Sequence, residues 1–177
     1  MLDGLAVAGA QYAIFAVAAL MLALWFLLPR PEGRARRRLL LAGLSALIAL
    51  LVNSLIALFY PRQRPFAAYP HKVHLLVAHA PDASFPSDHA AVAGAVAFVM
   101  WAAGPTYRVL FWLLTIVIIL SRVFIGVHWP SDVIGGAAIG ALSGSLVLFA
   151  QGILERPMRF GLRLFRYGGE SLPGKAR

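Results

Sequence analysis

A chain of 177 residues in which 60% are hydrophobic and 13% charged is far from the usual soluble mixture, where roughly a quarter of residues carry charge. One membrane domain is the natural reading, and the formal net charge of +9 does not point to nucleic acid, because its distribution follows membrane topology. The chain has no cysteine, which removes disulfides and thiolate chemistry.

Five apolar runs follow in order: Leu5 to Leu28, Leu39 to Tyr60, Ala90 to Ala103, Val109 to Ile125 and Val133 to Leu154. They predict an all-α, polytopic transmembrane helix bundle of about five spans. The first run has no cationic flank ahead of it and is too long for a signal-peptide core, so it counts as a span. The third and fourth are shorter than the other three, the third most of all. Extended back to Ser87 it has 17 residues, about 25 Å of helix, so its first turn is expected to sit recessed below the membrane surface.

The cations give the orientation. Arg30, Arg34, Arg36, Arg37 and Arg38 follow the first run, Arg108 follows the third, and six more lie beyond Leu154; the positive-inside rule makes these twelve of sixteen cytoplasmic. Arg62, Arg64, Lys72 and Arg122 remain for the outer face. The chain thus divides into a membrane-embedded domain, 1–155, and a basic tail, 156–177. Arg156, Arg159, Arg163 and Arg166 share one helical face and Met158, Leu162 and Phe165 another, as in an amphipathic helix resting on the anionic inner leaflet. A solvated tail is an equal reading for its last ten residues.

Three outer segments hold nearly all the polar chemistry: "RQRPF" (Arg62 to Phe66), "SFPSDH" (Ser84 to His89) and "SRVFIGVHWPSD" (Ser121 to Asp132). Two spans separate each from the next, so all three return to one side and can form one pocket. Arg64 and Arg122 offer guanidinium forks that match phosphoryl oxygens. Pro86 and Ser87 resemble a helix start, which aims backbone N–H groups and the dipole at an anion. Either arginine alone reads more simply as a snorkelling juxtamembrane residue.

The histidines add chemistry. His128 and Asp132 are four apart with Pro130 between them at a first helical position, so Asp132 lies in the first turn. There it can reach back to the imidazole, hold its tautomer and stabilise the imidazolium, as for a histidine nucleophile with an orienting carboxylate. Asp132 also suits a helix start in its own right. His89, one turn into the third span, can give a proton to a leaving oxygen.

These residues resemble the three motifs of the type 2 phosphatidic acid phosphatase superfamily: Arg64-Pro65, then Pro86 to His89, then Ser121-Arg122, five residues, His128, three residues, Asp132. Asp88 stands where the wider family has glycine, and "DASFPSDH" is similar to bacterial undecaprenyl pyrophosphate phosphatases of the bacitracin-resistance type. The resemblance implies a metal-independent, cofactor-free phosphatase. His128 would form a phosphohistidine, Asp132 would support it, and His89 would protonate the leaving group and then activate water. Arg64, Ser87, Asp88 and Arg122 would form the substrate-binding set. The family's first motif opens with a Lys seven residues before its Arg, and that position is Ala57. Arg62 or Lys72 replaces the charge, or the diphosphate is held by fewer cations. Many relatives also have six spans.

Asn53 and Ser54, mid-helix, are expected to bond to a neighbouring helix. Gly136, Gly140 and Gly144, with Ala90, Gly94 and Ala97, provide small faces for close packing of the third and fifth spans. His71, His74 and His79 with Asp82 could bind metal, but their irregular spacing favours solvated or loop-ordering histidines.

Together these readings describe a phosphatase of the bacterial inner membrane. Its active site would face outward, and its substrate would be an isoprenyl diphosphate, undecaprenyl diphosphate foremost. A phospholipid or lipid A phosphatase is the alternative enzyme, and an anion-binding transporter the non-enzymatic one.

Overall fold

The computed structural model describes residues 2–27 and 33–155. Arg30 and the basic tail from Arg156 onward lie outside the described residues. Every regular element among the described residues is a helix: α1 Leu2–Leu27, α2 Gly33–Phe59, α3 Pro65–Ala68, α4 Asp88–Trp101, α5 Pro105–Phe124 and α6 Pro130–Phe149. Leu2–Leu27, Arg36–Phe59, Pro105–Phe124 and Pro130–Phe149 are long and apolar enough to cross a bilayer. The fifth apolar helix, α4, has only 14 residues, about 21 Å of rise. Helix α5 starts a turn earlier than its apolar run, because Gly104 leaves the chain free to turn and Pro105 sits at a first helical position.

The shortest helix forms the centre. Along α4, Ala90, Ala91, Ala93, Gly94, Ala95, Val96, Ala97, Val99 and Met100 are buried, with α6, α2 and α5 packed around them. Its small residues permit that enclosure. A Cβ on Gly140 of α6 would overlap the Ala91 carbonyl oxygen, and one on Gly94 would lie 2.8 Å from the Ala137 carbonyl oxygen. The two backbones therefore touch, as the small faces of the two runs predict. Large side chains of the long helices, among them Leu22, Leu51, Leu113 and Leu142, point outward, where lipid is the solvent. Helix α1 is the least enclosed and packs mainly on α5, with Gly9 directly against Ser121.

The two ends differ chemically. At one end Arg37 pairs with Glu155 at 2.8 Å and Arg108 stacks over Trp101 at 4.2 Å. At the other, α2 and α5 finish and α4 and α6 begin. Phe66, Leu75, Leu76 and Val77 cover Ala10, Ile125 and Val127 there. The loop crosses tightly at Gly126, whose φ of +81° and proximity to Val73 leave no room for a side chain.

Asn53 of α2 donates to Asp88, the first residue of α4, at 2.9 Å. Asn53 lies six residues before the end of α2, which sets the start of α4 about 9 Å down that helix. The start of α4 thus lies below the end of α2, as a recessed third span requires. Ser54 differs from expectation: its hydroxyl donates to Leu50 of its own helix, 2.9 Å away, on an exposed face.

Candidate active site

The three polar segments meet at the α4–α6 end of the bundle. His128 lies in the turn between α5 and α6, with 4% of its surface exposed. Its Nδ1 is 2.9 Å from the Ser84 carbonyl oxygen and its Nε2 is 3.3 Å from Arg64 Nη1. A carbonyl only accepts and a guanidinium only donates, so the proton belongs on Nδ1 and the lone pair on Nε2. Burial is the largest influence on this ring and pushes its pKa below the ordinary histidine range. The Asp132 carboxylate opposes that shift, and the Arg64 and Arg122 charges reinforce it.

Asp132 is fully buried, and α6 begins at Pro130 as the sequence predicts. Its Oδ2 accepts the Trp129 backbone N–H at 2.8 Å and the Ser84 hydroxyl, and its Oδ1 accepts Arg62 Nη1 at 2.8 Å. The distance from Oδ2 to His128 Nδ1 is 3.6 Å, too long for a hydrogen bond. The expected direct hold on the tautomer is therefore replaced by an electrostatic contact, with the Ser84 carbonyl accepting the proton.

Arg64 precedes Pro65, the first residue of α3, and is 6% exposed. Its Nε donates to Asp82 at 2.7 Å, Nη1 to the Val127 carbonyl at 3.0 Å and Nη2 to the Ala83 carbonyl at 3.2 Å. Arg122, in the last turn of α5, is equally buried. Its Nη2 is 3.2 Å from His79 Nε2, and its Nε has no hydrogen-bond partner. Ser87 caps α4 without using its side chain: the hydroxyl is buried and unpartnered, while its N–H donates to the Asp132 carbonyl at 3.1 Å. His89 follows within the first turn, close enough to Arg122, His128, His79 and Arg64 to feel the charge of each.

The structure thus brings together His128, Asp132, His89, Arg64, Ser87 and Arg122. Asp88 lies near enough to Arg122 to act on its charge, while its carboxylate accepts the Asn53 hydrogen bond from α2. Of the two candidates for the charge missing at Ala57, Arg62 reaches the site, but it binds Asp132 and, at 2.6 Å, the Ser131 hydroxyl. Lys72 lies over the Tyr69 ring instead, 5.9 Å from its centre.

Three residues of this neighbourhood were not legible as site residues. Ser84 acts partly through its backbone. His79 and Asp82, read above with the loop histidines, join the two arginines. Among the described residues no three of His, Cys, Asp and Glu converge as metal ligands. Burial and the two arginines lower the His79 pKa against the opposing Ala80 hydrogen bond and Asp82 charge. For Asp82, desolvation acts upward but is outweighed by the Arg64 hydrogen bond and charge, so its carboxyl titrates below the usual range.

The comparisons agree with this geometry. The PAP2 superfamily model matches residues 38–153, which include all the residues gathered above. The undecaprenyl-diphosphatase BcrC of Bacillus subtilis (strain 168) is 38% identical over 149 residues, 82% of this chain and 73% of that protein. The putative undecaprenyl-diphosphatase YbjG of Escherichia coli (strain K12) is 37% identical over 67% of this chain and 61% of its own length. Among solved structures, that of Aquifex aeolicus LpxE superposes with a TM-score of 0.65 and 28% identity, covering 83% of this chain and 85% of the other. Family match, fold and site together establish that the chain belongs to the PAP2 superfamily and is a multi-pass membrane phosphatase.

Proposed function

We propose that this phosphatase hydrolyses a long-chain isoprenyl diphosphate, undecaprenyl diphosphate foremost, at the extracytoplasmic face of a bacterial inner membrane. The observation that carries the reading is that Arg122 Nε and Ser87 Oγ, each in one of the three motif segments, are buried donors without a partner. An unmet buried polar group costs about 1–3 kcal/mol, and phosphoryl oxygens would satisfy both at once. Arg62 and Arg64 each pair directly with a carboxylate, whereas Arg122 has Asp82 and Asp88 only at longer range and keeps its Nε–H for an anion.

In this reading an incoming phosphoryl oxygen takes the Arg64 Nη1 contact and uncovers His128 Nε2. The lone pair attacks the terminal phosphorus, and the P–O bond to the lipid monophosphate breaks. The negative charge of the bound diphosphate offsets the surrounding arginines and favours a protonated His89, which delivers that proton to the leaving oxygen. His89, now neutral, takes a proton from water, whose oxygen attacks the phosphohistidine, releasing orthophosphate and restoring the ring. The arginines and the α4 N-terminus stabilise the charge that develops on the equatorial oxygens.

The diphosphate preference rests on the two undecaprenyl-diphosphatase relatives. The outward orientation rests on the twelve-to-four division of cations. A lipid A phosphatase is the second reading, supported by a lipid A 1-phosphatase of Rhizobium johnstonii that is 43% identical over 63 residues. Phosphate release from detergent-solubilised undecaprenyl diphosphate, phosphatidic acid, phosphatidylglycerol phosphate and lipid A separates them. The isoprenyl diphosphate should give the highest kcat/KM. Preference for lipid A would reverse the assignment.

A further inference from the structure

Ser84 commits each of its three polar groups to a different part of the site. Its N–H donates to the Arg62 carbonyl at 2.8 Å, its hydroxyl to Asp132 Oδ2, and its carbonyl accepts His128 Nδ1–H at 2.9 Å. The residue is completely buried. A serine serving only to fill a polar gap needs one acceptor for its hydroxyl. This one joins the segment after α2, the turn before α6 and the first turn of α6.

We infer that Ser84 is the positioning residue through which Asp132 acts on the His128 ring; this rests on the reading of His128 as nucleophile. The carboxylate is occupied by Ser84, Trp129 N–H and Arg62, and it stands 3.6 Å from Nδ1. The ring is instead hydrogen-bonded to a carbonyl, and that carbonyl is located by the serine's own hydroxyl on Asp132 and N–H on Arg62. Asp132 therefore orients the ring by holding the residue that holds it. A misplacement of about 1 Å at a reacting group can cost on the order of 10²-fold in rate, so losing the hydroxyl should be felt in kcat even though the carbonyl remains.

The charged and titratable groups around His128 are Asp132 from α6, Arg64 from the segment after α2, Arg122 from α5 and His89 from α4. Removing the Ser84 hydroxyl frees Asp132 Oδ2 to turn to the ring, which strengthens the imidazolium.

The test compares Ser84→Ala, Asp132→Asn and the double variant, each purified in detergent. Ser84→Cys, which keeps the volume but has only a weak donor, guards against misfolding of the alanine variant. With undecaprenyl diphosphate, Ser84→Ala and Ser84→Cys should lower kcat roughly 10- to 100-fold with KM little changed. The acid limb of kcat/KM should move to higher pH, which mere loss of folded enzyme would not cause. The double variant should be no slower than the slower single one, because both substitutions break one linkage. Losses that multiply, or a serine variant with wild-type kcat and pH limb, would overturn the role. Nitrogen-15 NMR of labelled histidine, with His128 identified by its loss in His128→Asn, supplies a readout that does not need turnover. It should show Nδ1 protonated in the wild type, and in Ser84→Ala the Nδ1–H resonance should move as its acceptor changes from the Ser84 carbonyl to Asp132 Oδ2. An unchanged Nδ1–H resonance overturns the inference, whereas an inactive wild type with the expected change would overturn only the functional reading.

Discussion

Arg64 Nη1 stands 3.3 Å from His128 Nε2, directly over the lone pair that would attack phosphorus. A guanidinium there keeps the ring neutral, because it offers a donor and repels a second proton. The same group leaves Nε2 covered until an anion with better acceptors arrives. In the proposed mechanism, binding and activation of the nucleophile are one event.

The first prediction removes that nucleophile. His128→Ala should abolish phosphate release while lipid diphosphate still binds to Arg122 and Ser87, since a nucleophile contributes mainly to the transition state. Turnover and equilibrium binding measured on the same detergent preparation check this, and near-normal turnover would exclude a phosphohistidine.

The pH profile is the second. Burial and two arginines lower the His128 pKa, so the ring stays neutral below the ordinary value of about 6.5, and the acid limb of kcat/KM should fall below that pH. Arg122→Gln removes one lowering charge, so whatever activity survives should show its limb at higher pH. Linkage has the same sign. The unfolded histidine binds its proton more readily than the folded one, so this residue favours the native state above about pH 6.5 and loses that contribution as pH falls. A limb that shifts downward in Arg122→Gln would contradict the electrostatic account.

Helix contact gives a third. A Cβ at Gly140 would meet the backbone of Ala91 and Ala95, which cannot rotate away as a side chain could. Gly140→Ala should therefore cost about 1–3 kcal/mol or more and lower activity with it, since α4 carries His89 and α6 carries Asp132. Gly152→Ala, with open space around it, should leave the Tm unchanged. Thermal denaturation in detergent compares the two.

Sidedness is the fourth. Ala67, exposed on α3, should react as cysteine with an impermeant thiol reagent in intact spheroplasts, and Gly33→Cys should not. The native chain contributes no background because it has no cysteine. The reverse labelling would place the pocket in the cytoplasm.

What could be read in advance was what repeats or what carries a fixed chemical type. The apolar runs gave the helices because hydrocarbon demands length and apolarity. Gly136, Gly140 and Gly94 announced a close α4–α6 contact because only small residues allow one. The spacing of Arg122, His128 and Asp132 marked the pocket. Ser84 escaped because a carbonyl is common to every residue, and no sequence pattern says which one a histidine will use. His79 and Asp82 escaped because a loop has no period, so their meeting with Arg122 and Arg64 depends on how residues 69–87 fold back. Asn53 and Ser54 show the limit within a helix: one step of rotation sends the first to Asp88 and the second to its own backbone.

The Asn53–Asp88 hydrogen bond has a mechanical consequence. By tying the start of α4 about 9 Å down α2, it places the reacting groups at a set depth relative to the hydrocarbon boundary that α2 spans. The expected consequence is a dependence of turnover on leaflet thickness. A bilayer that is too thick carries the headgroup above the pocket, and one that is too thin lets it pass below. Reconstituted into vesicles of graded acyl-chain length, the enzyme should turn over fastest at one hydrophobic thickness, and Asn53→Leu, which releases the tie, should broaden that optimum.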